Sequence, residues 1–289
     1  GVISMTTGGT RWADITSITN DIYEGALFTL RQQNLLARTV TVFRDTAGMQ
    51  PRKVTEYGQA NPRQVDELED VTPTRFDRTL LNTLTPHRHA DMFLLSDQRV
   101  ATDAQNVRLD AAMELGSSFA QDVDEKLASL FPSLTGGTIG SAGGTITWAK
   151  LIGARSLMQG LKIPGPYWCV LHPYQWAHLV TSALTTGAEI ANAPGFQDAL
   201  VNSFFTSTIL GGVTFVVTPS IAVDGNGDAV GAMYNPMALA YDERRAFSIE
   251  PQRDASRQAT ELNASMWYAY GTWDAKRGIA IVGDAATPS

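Results

Sequence analysis

The sequence predicts an α+β protein, on three observations. A long helical pattern without proline occupies residues 103–131. Strand-like alternation flanks it at 39–95 and again after residue 240. A short helix–strand–helix unit lies between the two, so helices and sheets must pack as layers around a common core.

Residues 1–20 are rich in Thr, Ser and Gly and read as an extended arm. A helix is expected over 22–37, with Ile22, Ala26, Leu27, Leu30 and Leu35 on its apolar side and Asn20 or Asp21 as its cap. Thr39 to Phe43 alternate with β-branching and predict a strand, as do residues 53–57. Between Arg44 and Pro73 large apolar residues are sparse, so this segment buries little core of its own. Strand-like content returns over 75–81 and 92–95. A chain that leaves on one strand and returns on another is a projecting β-hairpin, and long excursions of this kind are usually functional or disordered. Its charged residues Arg52, Lys53, Arg63, Asp66, Glu67, Glu69 and Asp70 are the candidate contacts to a neighbouring copy, through complementary charge. The plainer reading of the same residues is a solvated charged loop.

Thr102 and Gln105 fit a capping box at the start of the long helix. Ala104, Val107, Ala111, Leu115, Phe119, Val123, Leu127 and Phe131 recur at every third or fourth position. At 1.5 Å per residue such a helix would run about 43 Å, longer than a small domain is wide. The steps are mostly four, so the apolar face drifts and does not form the fixed seam of a coiled coil. Gly116, Ser117 and Ser118 also weaken a free-standing helix. A spine laid across a sheet fits this pattern better than a coiled coil or an ordinary core helix.

The glycine-rich stretch 136–144 lacks the Gly-Lys-Ser/Thr ending of a phosphate loop and reads as a linker or hairpin turn. Thr147 caps a helix through Leu151, Ala154, Leu157 and Met158 to Gly160. Tyr167 to Leu171 form a buried strand, and Pro173 opens another helix. A further helix is expected over 196–205, then a strand over 213–218. Asp224 to Asp228 resemble the start of a calcium loop, but Ala229 and Asn235 stand where glycine and glutamate are required, so a tight turn is expected. Strands follow at 247–249, 262–270 and 278–282, with Met266, Tyr268 and Tyr270 on one face and Trp267 and Ala269 on the other. The spine is the helix available to cover them.

Composition excludes several classes. The 289 residues are 44% hydrophobic and 18% charged, an ordinary globular balance. No apolar run approaches the ~18–20 residues of a membrane span, so no membrane partner is expected. No charged n-region with an apolar core opens the chain, and no signal-peptide secretion is expected. The net charge of −7 argues against a dedicated nucleic-acid groove. Cys169 is the only cysteine, so no intrachain disulfide forms; its apolar strand predicts a buried inert thiol. His87 and His89 would share one side of a strand, a conceivable metal pair, but no cysteine or carboxylate stands beside them at ligand spacing. No Gly-x-Ser-x-Gly elbow is present. The residues thus supply no catalytic constellation and no cofactor or metal site, and the protein is expected not to be an enzyme.

Taken in order, these features resemble the major capsid protein of tailed bacteriophages, the Hong Kong 97-type capsid fold. The resemblance rests on the arm, the two-stranded loop of 39–95, and the junction Leu94, Leu95, Ser96 and Asp97 into a helix containing Phe119, Ala120, Gln121, Asp122, Val123 and Asp124. It continues through Val170, Leu171, His172 and Pro173, the strand from Gly212 to Pro219, and the return from Gly231 to Gly283.

The resemblance implies an N-terminal arm and short helix at 1–38 and an extended hairpin at 39–95. It implies a peripheral domain at 96–149 and 240–289 carrying the spine helix, and a central domain at 150–239. It also implies self-assembly through pentamers and hexamers into an icosahedral head in the host cytoplasm. That head would enclose double-stranded DNA without sequence-specific binding, with portal and scaffolding proteins as partners. Two alternatives stand beside it. One is an encapsulin-type shell around cargo enzymes; the other is a soluble α+β enzyme. Lys53 is the only lysine of the hairpin, and nothing around it marks a crosslinking partner.

Overall fold

The computed structural model describes residues 35–45, 48–58, 60, 62–67, 70, 71, 73, 75–102, 107–185, 204–207 and 212–287. The expected arm of residues 1–20, the expected helix over 22–34 and the cap residue Gln105 lie outside them. In chain order the strands are β1 (Thr41–Phe43), β2 (Arg52–Tyr57), β3 (Arg78–Leu84), β4 (His87–Ser96), β5 (Thr138–Gly140), β6 (Trp168–Leu171), β7 (Phe204–Ser207), β8 (Val213–Val217), β9 (Asp228–Tyr234), β10 (Leu239–Asp254), β11 (Ala259–Thr272) and β12 (Gly278–Asp284). The α-helices are α1 (Asp97–Thr102), α2 (Val107–Ala128), α3 (Trp148–Gly160) and α4 (Pro173–Thr185). The strands make a four-stranded sheet β1-β10-β11-β4, a six-stranded sheet β5-β12-β9-β6-β8-β7 and a two-stranded ribbon β2-β3.

The chain forms two compact units. The first comprises residues 1–35, 88–124 and 245–268. Within it the spine α2 packs on β10 and β11, whereas the third late strand expected beneath it, at 278–282, lies in the six-stranded sheet of the second unit. Leu115, Phe119 and Val123 are buried, and the Phe119 ring meets Phe247 of β10 edge-on at 5.1 Å. Asp97, at the start of α1, forms a two-pronged ion pair with Arg253 (2.5 and 2.6 Å), and the Arg253 guanidinium holds that exposed carboxyl below the usual carboxylate range.

The second unit comprises residues 36–87, 125–244 and 269–289. Its core is the six-stranded sheet with α3 and α4 against it. Leu151, Met158, Leu171, Phe215, Met233 and Ile281 are among its fully buried members. The Thr147 side chain accepts the Lys150 backbone N–H and caps α3. Gln175 of α4 is fully buried; its Nε2 donates to the carbonyls of Ala229 (2.7 Å) and Gly283 (3.1 Å), tying the helix to β9 and β12.

Five local expectations are corrected. The periodicity extends the spine to residue 131, but α2 ends at Ala128 and Phe131–Ser133 form a 3₁₀ turn. Pro132 has no N–H with which to continue the α-helix, so the chain tightens there. Leu36–Arg38 are likewise a 3₁₀ turn and not the end of an α-helix.

The glycine-rich stretch is not only a linker, because Thr138–Gly140 pair in parallel with β12. Its glycines serve close backbone approach: a Cβ on Gly136 would lie 2.5 Å from the Gly278 carbonyl oxygen. Gly140 also has φ of +89°, where a side chain is strained. Finally, Phe204 and Phe205 are not helical but stand in β7, antiparallel to β8 opposite Val216 and Phe215; residues 196–203 lie outside the described residues. The return strand of the hairpin is also shifted, from 75–81 to Arg78–Leu84.

Candidate assembly surface

The hairpin expected from the sequence is the ribbon β2-β3, antiparallel with Arg52 opposite Leu84 and Tyr57 opposite Arg78. The register shifts between Val54 and Thr55, which leaves Leu81 as an extra residue on β3. Because side chains alternate along a strand, Arg52, Val54 and Glu56 lie on one face, and Lys53, Thr55 and Tyr57 on the other.

The first face is turned to its own chain. Val54 and Leu84 are buried with Ala240 and Ala269, with Phe43 and Trp273 packed alongside. Asn82 donates to the Thr272 carbonyl (3.0 Å), and Lys276 pairs with Glu56 (3.1 Å). At the root, Asp242 of β10 is fully buried and receives two guanidiniums, Arg52 (2.9 Å) and Arg244 (2.9 Å). Arg52 also pairs with Asp45 and lies over the Phe43 ring at 4.3 Å. Its interaction with Asp242 raises its pKa further above the usual range, and Arg52 in turn lowers that of Asp45. Arg244 reaches on to the carbonyls of Gly48 (3.4 Å) and Gln50 (3.3 Å). One buried carboxylate thus holds Arg52 and, through Arg244, the carbonyls of Gly48 and Gln50 in the loop that leads into the ribbon.

The second face carries the stacked pair Tyr57 and Phe76, with centroids 5.0 Å apart and planes 4° from parallel. Arg78 lies over the Tyr57 ring at 5.9 Å, and the Gly58 N–H donates to the Asp77 carbonyl, extending the ribbon by one step.

Of the charged residues singled out in the sequence, Arg52 is a root residue engaged within its own chain. Lys53, Arg63, Asp66, Glu67 and Asp70 are exposed, and Glu69 lies outside the described residues. Sequence reasoning missed Asp242 and Arg244. Their only sequence signal was a cluster of charge in an otherwise apolar run, Ala240 to Phe247. It also missed Tyr57 with Phe76, which stand 19 positions apart.

The other chemistry-bearing residues fall into structural roles. His89 Nδ1 is 2.7 Å from the Asp122 carboxylate, which also accepts from Tyr268 (2.5 Å), and the His89 ring stacks on Tyr268 at 4.1 Å. These three side chains fasten β4, α2 and β11 of the first unit beside an open cavity of about 410 Å³. His87 is exposed. Among the described residues no group of three His, Cys, Asp or Glu side chains is placed to hold a metal. Asp224 to Asp228 form the expected tight turn, in which the Asp224 carboxylate accepts the N–H groups of Asn226 and Asp228. Cys169 is fully buried, and burial pushes its thiol far up. Among the described residues no helix is long and apolar enough to cross a membrane.

The comparisons with known proteins converge on one architecture. The capsid of cyanophage P-SCSP1u is similar with a TM-score of 0.67 at 14% identity, over 89% of each chain. The Mycobacterium phage Che8 structure is similar at 0.66 and 16% identity, over 86% of this chain and 90% of that one. The virus-like particle of Pyrococcus furiosus is similar at 0.59 and 12% identity, over 91% and 98%. No curated protein matches the sequence. The fold is therefore of the Hong Kong 97 type, as the order of elements implied. The profile of the phage capsid protein family matches residues 81–282, from the return strand of the ribbon through the spine to β12, and the chain belongs to that family.

Proposed function

We propose that this capsid protein builds a closed icosahedral head of pentamers and hexamers around double-stranded DNA. Assembly takes place in the host cytoplasm with portal and scaffolding proteins, and involves no catalytic step. The observation that carries the reading is the family membership joined to a ribbon that is clamped at its root, packed on one face and bare on the other. The bare face has work to do only outside its own subunit. Residues 39–95 act as the arm to the neighbour, with Lys53, Arg63, Asp66, Glu67, Glu69 and Asp70 at its contacts and Arg52 bracing its root. Residues 96–149 with 240–289 serve as the peripheral region and 150–239 as the central one; the two share the six-stranded sheet through β12. Head-to-tail contacts close only where the rotation between copies permits, and five- and six-fold rings are that closure. The acidic balance of the chain suits confinement of DNA by a wall, with counterions screening the phosphates.

Light scattering and electron microscopy of the purified protein, supplied with its scaffolding partner, test this reading. Closed shells are expected. A homogeneous monomer or dimer under those conditions would overturn it. The encapsulin-type alternative has less support, and the nucleic-acid content of native particles separates the two.

A further inference from the structure

We propose that one copy of this chain docks on the next through the outer face of the β2-β3 ribbon, with the stacked pair Tyr57–Phe76 and Leu80 as its apolar anchor, and that the charged turn beyond it contributes little. The inference rests on the assembly reading above and names the chemistry of its contact.

Arg52, Val54 and Glu56 point to their own chain, where each has a partner. Alternation therefore turns Tyr57 outward, and the pairing of Thr55 with Leu80 and of Tyr57 with Arg78 puts those two β3 residues on the same outward face. That face is exposed although it is apolar: Tyr57 is 51% accessible, Leu80 54% and Phe76 72%. Single exposed apolar residues are ordinary, but a contiguous group with two aromatic rings marks an interaction site.

A two-stranded ribbon is marginal in water, so leaving this strip bare is doubly unfavourable. The strip is also preorganised. The two rings hold each other nearly parallel, and Arg78 lies over one of them, so little side-chain freedom remains to be lost on docking. Buried aromatic and arginine side chains are the usual anchors of an interface, whereas exposed rim charges contribute little to affinity. The occupant is a second copy of the chain, because the surface stands on the family's shell-forming subunit and is presented by a ribbon whose inner face is already engaged.

The test compares two variants of the full chain. Y57S/F76S is expected to weaken association of subunits by about tenfold or more, read by light scattering against concentration. Because both side chains are exposed, the melting temperature of the unassembled subunit should stay close to that of the parent. D66K/E67K/D70K is expected to change association by no more than about twofold. Normal assembly of Y57S/F76S, with assembly blocked in the charge-reversed variant, would overturn the apolar anchor and keep the assembly reading. Failure of the parent chain itself to form shells would remove the assembly reading. A photoreactive side chain placed at position 76 in assembled particles should crosslink two copies of the chain. Crosslinks found only within one chain, or only to a different protein, would overturn the proposal.

Discussion

The six-stranded sheet and the two-stranded ribbon are built from the same kind of strand, yet they stand in opposite energetic positions. In the sheet, β6 lies between β8 and β9, and Cys169, Val170 and Leu171 are all fully buried. β6 finds hydrogen-bond partners on both sides and side-chain cover inside the chain. The ribbon has one covered face and one bare face. A strand whose needs are met within its own subunit contributes to stability, whereas one that leaves an apolar face in water is an element awaiting a partner. The contrast separates the part of the chain that folds the subunit from the part that joins subunits.

Substitutions in the two regions test this contrast. The largest effect is expected in the sheet. Phe215→Ala removes a fully buried ring at the centre of the core and should cost about 3–5 kcal/mol, seen in chemical denaturation of the unassembled subunit. Equal stability of variant and parent would show that this sheet does not carry the fold.

Next comes the ribbon root. Asp242→Ala leaves Arg52 and Arg244 facing each other without their carboxylate, and should cost about 3 kcal/mol. It should also impair assembly more than Phe215→Val does at matched temperature below melting, because the loss falls where the ribbon is aimed. Assembly unchanged by Asp242→Ala would detach the root from the function of the ribbon.

A smaller effect concerns pH. His172 is buried at the start of α4, and its Nδ1 accepts the Tyr174 backbone N–H (3.2 Å). Burial lowers its pKa below the usual histidine value of 6.5. The unfolded chain therefore takes up this proton first as pH falls, and the contribution to stability is fully present above pH 6.5. That contribution is lost as pH falls from there through the lower folded value. Urea unfolding of His172→Gln should show a shallower loss of stability on acidification below pH 6.5 than the parent. Parallel curves would exclude His172 as the source.

The smallest effect belongs to the ribbon's exposed ion pair. Lys276→Ala removes a partner of Glu56 whose side chain is 66% accessible, and should cost only about 0.2–1 kcal/mol. A larger loss would mean that charge, and not the Val54–Leu84 packing, holds the ribbon to its subunit.

Several elements were legible in the sequence because their signals are local. The four-residue spacing of Leu115, Phe119, Val123 and Leu127 marked the buried side of the spine, and all four are buried. Thr147 marked the start of α3, and the run ending at Leu171 marked a strand buried on both faces. The hairpin was legible from its sparse apolar content. Its candidate contacts were chosen by charge, since exposed charge is conspicuous in a sequence, and the stacking of Tyr57 on Phe76 was not.

The amino-acid sequence alone was enough for the α+β class, the spine and the existence of a two-stranded excursion. Each follows from periodicity and turn chemistry within a few residues. Only the tertiary structure decided that Thr138–Gly140 become a strand, since their partner β12 lies about 140 positions away. It alone decided that Phe204 and Phe205 pair with β8 and that Asp242 clamps Arg52 across 190 positions. It also set the faces of the ribbon, because Leu81 is the residue left out of the pairing. A one-residue change of register reverses the face of every side chain beyond it. Such a choice is made by packing between distant segments, and no local pattern encodes it.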